Sequence, residues 1–184
     1  MLNALAFLKD VRQTMSSLKP GMNLGSNTVF PGVQTLDGFL LGFMHPEYFR
    51  SMCRKHGLDP KTSEAVMMQA DHSTDPHVHV VGRSVFLPLG IDDGFADCAG
   101  GTFLGPYDPR GRRFELTFEP AQAGEPFVIE PGVIHFFTPG KGSRFSALAF
   151  VSPCILKNDG SFDILRLGPP FIRVDGAKAL VEAI

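Results

Sequence analysis

The chain contains no tryptophan, two tyrosines and only three cysteines in 184 residues. Cys53, Cys98 and Cys154 are odd in number and widely spaced, and none belongs to a Cys-x-x-Cys pair. That excludes a disulfide scaffold and a thiolate metal site, and it suits a reducing cytoplasm with buried, unreactive thiols. Charge of one sign is also lacking. Seventeen basic residues against 19 acidic ones leave a net −2, which gives nucleic acid no basic footprint to bind. No apolar run is long enough to cross a bilayer. The first residues, Met1-Leu2-Asn3-Ala4-Leu5, lack the basic start and cleavage site of a secretory signal. Internal repetition is missing as well, since the His-x-His pattern occurs once, and one domain is expected rather than two fused copies.

What the chain has instead is phenylalanine, 17 of them, with 20 glycines and 15 prolines spread along its length and not gathered in a linker. Frequent turns between short apolar runs suit antiparallel strands. With 43% hydrophobic and 20% charged residues, the composition is that of a globular domain with a sizeable core.

Residues 3–18 carry Leu5, Leu8, Val11, Met15 and Leu18 at three- and four-residue steps, the stripe of a packing helix, ended by Lys19-Pro20-Gly21. Residues 21–45 alternate glycine with apolar residues, and short strands are expected at 27–30 and 38–44. Pro46 and Glu47 open a second helix, and Lys55, His56 and Gly57 close it. From residue 64 the texture changes to strands, at 64–70, 77–89, 113–119, 126–129, 133–138 and 144–151, which argues for a sandwich or small barrel. Residues 92–112, rich in Asp, Gly and Pro, are expected to form a long connection near the barrel mouth. The tail is expected to hold an extended piece at 171–174 and a short helix at 176–183 capped by Asp175. The resulting organisation is an N-terminal helical and extended segment over 1–62, a barrel over 63–155 and a C-terminal extension over 156–184.

Two stretches carry the chemistry. In Asp75-Pro76-His77-Val78-His79-Val80-Val81-Gly82-Arg83, two imidazoles stand two residues apart in a β-branched run, so on a strand they share a face. In Pro131-Gly132-Val133-Ile134-His135, a third follows a tight turn. Three convergent imidazoles form a metal site that leaves positions open for water or substrate. Along the expected strand 77–89, parity puts Val81, Arg83, Val85, Leu87 and Leu89 on the histidine face, so Arg83 looks the same way as both imidazoles. His72 could serve as an acid/base or an added ligand at the rim, or simply as a solvated turn residue. Tyr107, on the long connection, could donate a hydrogen bond to substrate or only pack.

Together these stretches resemble the motifs of the cupin superfamily. The first motif, Gly-x5-His-x-His-x(3,4)-Glu-x6-Gly, is met by His77, His79, position 83 and Gly90, with Asp71 in place of the leading glycine. The second, Gly-x5-Pro-x-Gly-x2-His-x3-Asn, is met by Gly124, Gly132 and His135, with Glu130 at the proline and Pro139 at the asparagine. The resemblance spans residues 64–152. It implies a mostly β fold, a double-stranded β-helix or jelly-roll barrel with N-terminal helices and a short C-terminal helix. It also implies one divalent metal held by His77, His79 and His135, with ferrous iron preferred and nickel, zinc, manganese or copper possible.

The fourth ligand of the family, a Glu, is replaced by Arg83, and a guanidinium cannot ligate a cation. Three readings follow. A three-His site, as in cupin thiol dioxygenases and gentisate-type dioxygenases, would leave Arg83 to clamp a substrate carboxylate or enolate. Alternatively Asp71, His72, Glu115 or Glu130 completes the ligand set, and Arg83 turns aside into a salt bridge, with Glu115 or Glu130 as partner. In the third, the metal is weak or absent and the barrel binds a small anion. The corresponding functions are a non-haem iron dioxygenase acting on a small, anionic organic acid or carbonyl compound, a metal-dependent isomerase or lyase with His72 or Glu115 as base, and a non-catalytic binding module. The family's habit of pairing strand edges or exchanging N-terminal segments makes a homodimer through residues 21–45 an expectation.

Overall fold

The computed structural model describes residues 33–36, 46–70, 72–89, 100–141, 145–152, 164–167 and 170–183. The helix expected at 3–18 and the strands expected at 27–30 and 38–44 lie outside the described residues. The helix expected at Pro46 is present as α1, Pro46–Lys55. It ends in a Schellman motif. Gly57 adopts a φ of 69°, Leu58 N donates to Cys53 O at 2.8 Å, and Gly57 N donates to Arg54 O at 3.3 Å.

Twelve strands follow the chain among the described residues: β1 Val33–Leu36, β2 Glu64–Ala70, β3 His77–Val78, β4 Arg83–Leu89, β5 Gly100–Pro106, β6 Arg113–Pro120, β7 Phe127–Ile129, β8 Val133–Pro139, β9 Phe145–Ser152, β10 Leu165–Arg166, β11 Phe171–Asp175 and β12 Lys178–Glu182. They form a five-stranded sheet, β1-β2-β9-β4-β7, and a seven-stranded sheet, β10-β3-β8-β5-β6-β12-β11. The pairings reveal how the chain winds. β5 pairs with β6, β4 with β7, β3 with β8 and β2 with β9, all antiparallel. One long hairpin, closed at β5–β6, is therefore wound into a ribbon whose successive rungs alternate between sheets. That is a double-stranded β-helix of the jelly-roll type.

Side-chain alternation sorts the phenylalanines and aliphatics into layers. Val85, Leu87, Leu148 and Phe150 face outward from the five-stranded sheet and pack under Met52, Cys53 and Leu58 of α1 and its cap. Phe86, Ile129, Phe137, Phe145, Ala147 and Ala149 face inward between the sheets. Val78, Phe103, Leu116, Ile134, Phe136 and Val181 lie on the other face of the seven-stranded sheet.

Three expectations are corrected. The run 77–89 is not one strand: it breaks at residues 79–82, β3 and β4 belong to different sheets, and Gly82 at the break has a φ of 92°. Residues 100–106, expected within a connection, are strand β5. Its glycines do not break the strand but permit close approach. A Cβ at Gly101 would collide with the Glu119 carbonyl and the Phe118 ring. The short C-terminal helix is also absent. Residues 178–182 pair with β6 on one side and β11 on the other, and Gly176, at a φ of 59°, makes the turn. Ala179 and Val181 are buried while Lys178 is exposed, a period of two that tertiary pairing enforces over the helix propensity of Ala-Lys-Ala-Leu. The C-terminal hairpin thus extends the seven-stranded sheet.

Candidate metal centre

β3 and β8 run antiparallel with His77 opposite His135. Directly opposed residues share a face, so both imidazoles enter the space between the sheets. His79 follows just beyond β3, and its carbonyl accepts from Gly132 N at 2.9 Å. That bond holds the Pro131-Gly132 turn against the His-x-His segment. Thr74 secures the same edge from the other end. Its N donates to Phe137 O and its Oγ1 accepts from Phe137 N, each at 2.9 Å.

The three ligand atoms offered by His77, His79 and His135 all lie within 4.8 Å of one another. Ring centroids are 5.4 Å apart for His77 and His79, 4.2 Å for His77 and His135, and 4.8 Å for His79 and His135. The residues are 4%, 4% and 0% exposed, so water does not compete for their nitrogens. Each Nδ1 has an oxygen partner: Asp75 O at 2.9 Å from His77, Ser84 Oγ at 2.8 Å from His79 and Val133 O at 3.0 Å from His135. A carbonyl only accepts, so His77 and His135 donate from Nδ1 and keep Nε2 as a lone pair. His135 Nε2 is buried with no hydrogen-bond partner, a costly state for a nitrogen unless something binds there.

Burial also keeps the rings neutral. It pushes His77 down to about 4 and His79 to about 3, and holds His135 well below the ordinary imidazole value. Neutral, convergent nitrogen donors with an orphaned lone pair are the chemistry a divalent transition metal requires, and this group could hold one ion. Aromatic rings wall the centre: Phe86 and Phe137 lie 6.4 Å and 5.7 Å from the His135 ring.

Arg83 is not in this space. The break at Gly82 resets the parity, so Arg83 joins Val85 and Leu87 on the outer face and Ser84 joins Phe86 on the inner one. Arg83 Nε donates to Glu130 Oε2 at 3.0 Å, Nη2 lies 2.8 Å from Oε1, and Nη1 donates to His56 O at 3.2 Å. Of the readings open in the sequence, the salt bridge to Glu130 is the one realised. It is exposed rather than buried, with side chains 42% and 52% accessible.

Tyr107 is likewise removed from the centre. It packs on Phe114 at 5.5 Å, in the cluster with Ile134 and Phe136. Those residues alternate with His135, so Tyr107 is on the opposite face of the sheet. His72 is exposed on the bend before Thr74 and is not a member of the three-His group, and Glu115 is exposed on β6. Asp71 lies outside the described residues. The positions that sequence reasoning passed over are Thr74 and Ser84. Nothing in the sequence marks Thr74. Ser84 was within reach, because the motif admits three or four intervening residues between the second His and its Glu, and the four-residue spacing falls on Ser84.

Comparison of the sequence with protein-family models and with curated proteins finds no match. Among solved structures, the chain is similar to the polyketide cyclase RemF from Streptomyces resistomycificus, at 14% identity and a TM-score of 0.43, over 88% of this chain and 84% of that one. It is similar to an oxalate oxidase at 12% identity and a TM-score of 0.44, over 81% of this chain and 62% of that one. A cupin-like protein from Thermotoga maritima shows 13% identity and a TM-score of 0.40, over 72% of this chain and 80% of that one. The wound ribbon of β2 to β9 makes the chain a double-stranded β-helix, with His77, His79 and His135 converging inside it.

Proposed function

We propose that the chain is a metal-dependent enzyme that holds one divalent ion, ferrous iron by preference, through His77, His79 and His135, and inserts dioxygen into a small organic acid or carbonyl compound. The observation that carries this reading is the convergence of three buried, neutral imidazoles that no carboxylate joins among the described residues. A bound ferrous ion would supply Lewis acidity and open positions for a chelating substrate and dioxygen.

The chain's own residues do the rest. Asp75 O and Val133 O hold the ring protons of His77 and His135 on Nδ1 and leave their Nε2 lone pairs for the ion. Phe86 and Phe137 keep water away, and a low-dielectric surround strengthens attraction between a dication and an anionic chelate. Because three imidazoles neutralise none of the ion's charge, an anionic substrate needs no arginine clamp, which fits the outward position of Arg83. A non-oxidative isomerase or lyase needs a base at the centre, and the two candidates, His72 and Glu115, are both exposed and outside the three-His group. A cytoplasmic homodimer belongs to the same reading. Cys53, a buried free thiol, is consistent with a reducing compartment.

The test is oxygen uptake by anaerobically iron-loaded protein, screened against small carboxylates and 1,3-dicarbonyl compounds. Uptake that requires iron and substrate together is expected. Turnover of any of these compounds that continues without dioxygen would contradict the oxidative assignment and favour the isomerase or lyase.

A further inference from the structure

The three imidazoles differ in what holds them. The Nδ1 partners of His77 and His135 are backbone carbonyls, Asp75 O at 2.9 Å and Val133 O at 3.0 Å. A carbonyl oxygen only accepts, so both rings must carry their proton on Nδ1 and present Nε2 as a lone pair. The partner of His79 is a hydroxyl, Ser84 Oγ at 2.8 Å, on a residue 0% exposed. A hydroxyl both donates and accepts, so the backbone does not decide the tautomer of His79. Ser84 is also on the other sheet: β4 lies in the five-stranded sheet, whereas His77 and His135 lie on β3 and β8 of the seven-stranded one. The His79–Ser84 bond therefore bridges the break at residues 79–82 and ties the one ligand that lies on no strand to β4.

We propose that Ser84 is the positioning residue of the centre, accepting the Nδ1 proton of His79 so that its Nε2 lone pair turns toward the ion. The assignment rests on the metal-binding reading above. Its side chain, one carbon long, reaches the imidazole at 2.8 Å and serves the centre through that ring. His79 is thus the one ligand whose tautomer a side chain sets instead of the main chain. The centre then has two ligands fixed by main chain and one fixed by a side chain, and the third is the one a single substitution can loosen.

The experiment compares wild-type protein with Ser84→Ala and with Ser84→Thr, which keeps the hydroxyl. Cobalt(II) affinity is measured by chelator competition together with the visible absorption of the bound ion. Imidazole nitrogen NMR of the metal-free proteins reports the tautomers. Ser84→Ala is expected to lower cobalt affinity by about 10- to 100-fold, to change the cobalt spectrum, and to move His79 alone from the Nδ1–H toward the Nε2–H form. Ser84→Thr is expected to restore all three. A Ser84→Ala protein with wild-type affinity, spectrum and His79 tautomer overturns the assignment while leaving the three-His site standing. Wild-type protein that takes up no cobalt overturns the metal reading itself, and this assignment with it.

Discussion

His77 and His79 are kept neutral by burial, to about 4 and about 3 against an ordinary 6.5. The consequence for stability has a definite sign. Below pH 6.5 the unfolded chain takes up protons on these rings, while the folded metal-free protein resists until the pH approaches the lowered values. Stability is therefore full above about pH 6.5 and is lost as the pH falls toward 4 and then 3, by on the order of 3 kcal/mol per ring. Urea midpoints of metal-free protein should drop steadily between pH 7 and pH 4, and a His77→Gln/His79→Gln protein should show a flatter dependence. Equal slopes would mean that other groups govern acid unfolding. Arg83 invites the opposite expectation. An exposed ion pair contributes about 0–1 kcal/mol, so Arg83→Ala should change stability by no more than that and leave metal content untouched. Loss of metal in Arg83→Ala would return the guanidinium to the centre.

At the scale of elements, the informative stretch is 79–82. The sequence shows two histidines and an arginine at even spacing, and even spacing implies a common face only while a strand continues. Gly82, at a φ of 92°, interrupts it, so Arg83 and Ser84 exchange the faces that unbroken parity assigns them. The histidines themselves were legible because His77 and His135 sit on paired strands whose apolar alternation is plain. The break was not legible, because one glycine in a β-branched run looks the same whether it bulges a strand or ends it. Two further elements were masked by local chemistry that tertiary structure overrides. Gly100, Gly101 and Gly105 read as a loop and form a strand, and Lys178-Ala179-Leu180, read as part of a helix, pairs with a strand on each side. Gly82→Ala tests the break directly. A side chain at that φ should cost about 1–3 kcal/mol in the urea midpoint. Because Gly82 lies between His79 and Ser84, the substitution should also weaken metal binding. Full stability with unchanged binding would mean that the turn tolerates a Cβ and does not set the position of Ser84.

At the scale of the whole molecule, the winding of a single hairpin explains why distant segments meet. β3 and β8 are rungs of one ribbon, which places His77 opposite His135 across a separation of 58 residues (135 − 77). The β5–β6 hairpin at the far end, extended by β12 and β11, closes one sheet, and α1 covers the outer face of the other. Among the described residues no helix is long and apolar enough to cross a membrane. The overall plan was readable from the succession of short strands and the two histidine motifs. The inner and outer assignment of individual side chains required the registers.

The central claim is that the three buried imidazoles hold one metal ion. Metal content of untagged protein, after anaerobic loading with ferrous iron and gel filtration, tests it most directly when wild type is compared with His135→Ala. One ion per chain in the wild type and essentially none in a folded His135→Ala protein is the predicted result. Little metal in either protein, or equal metal in both, would contradict the account and leave the three histidines as a neutral polar cluster inside the barrel.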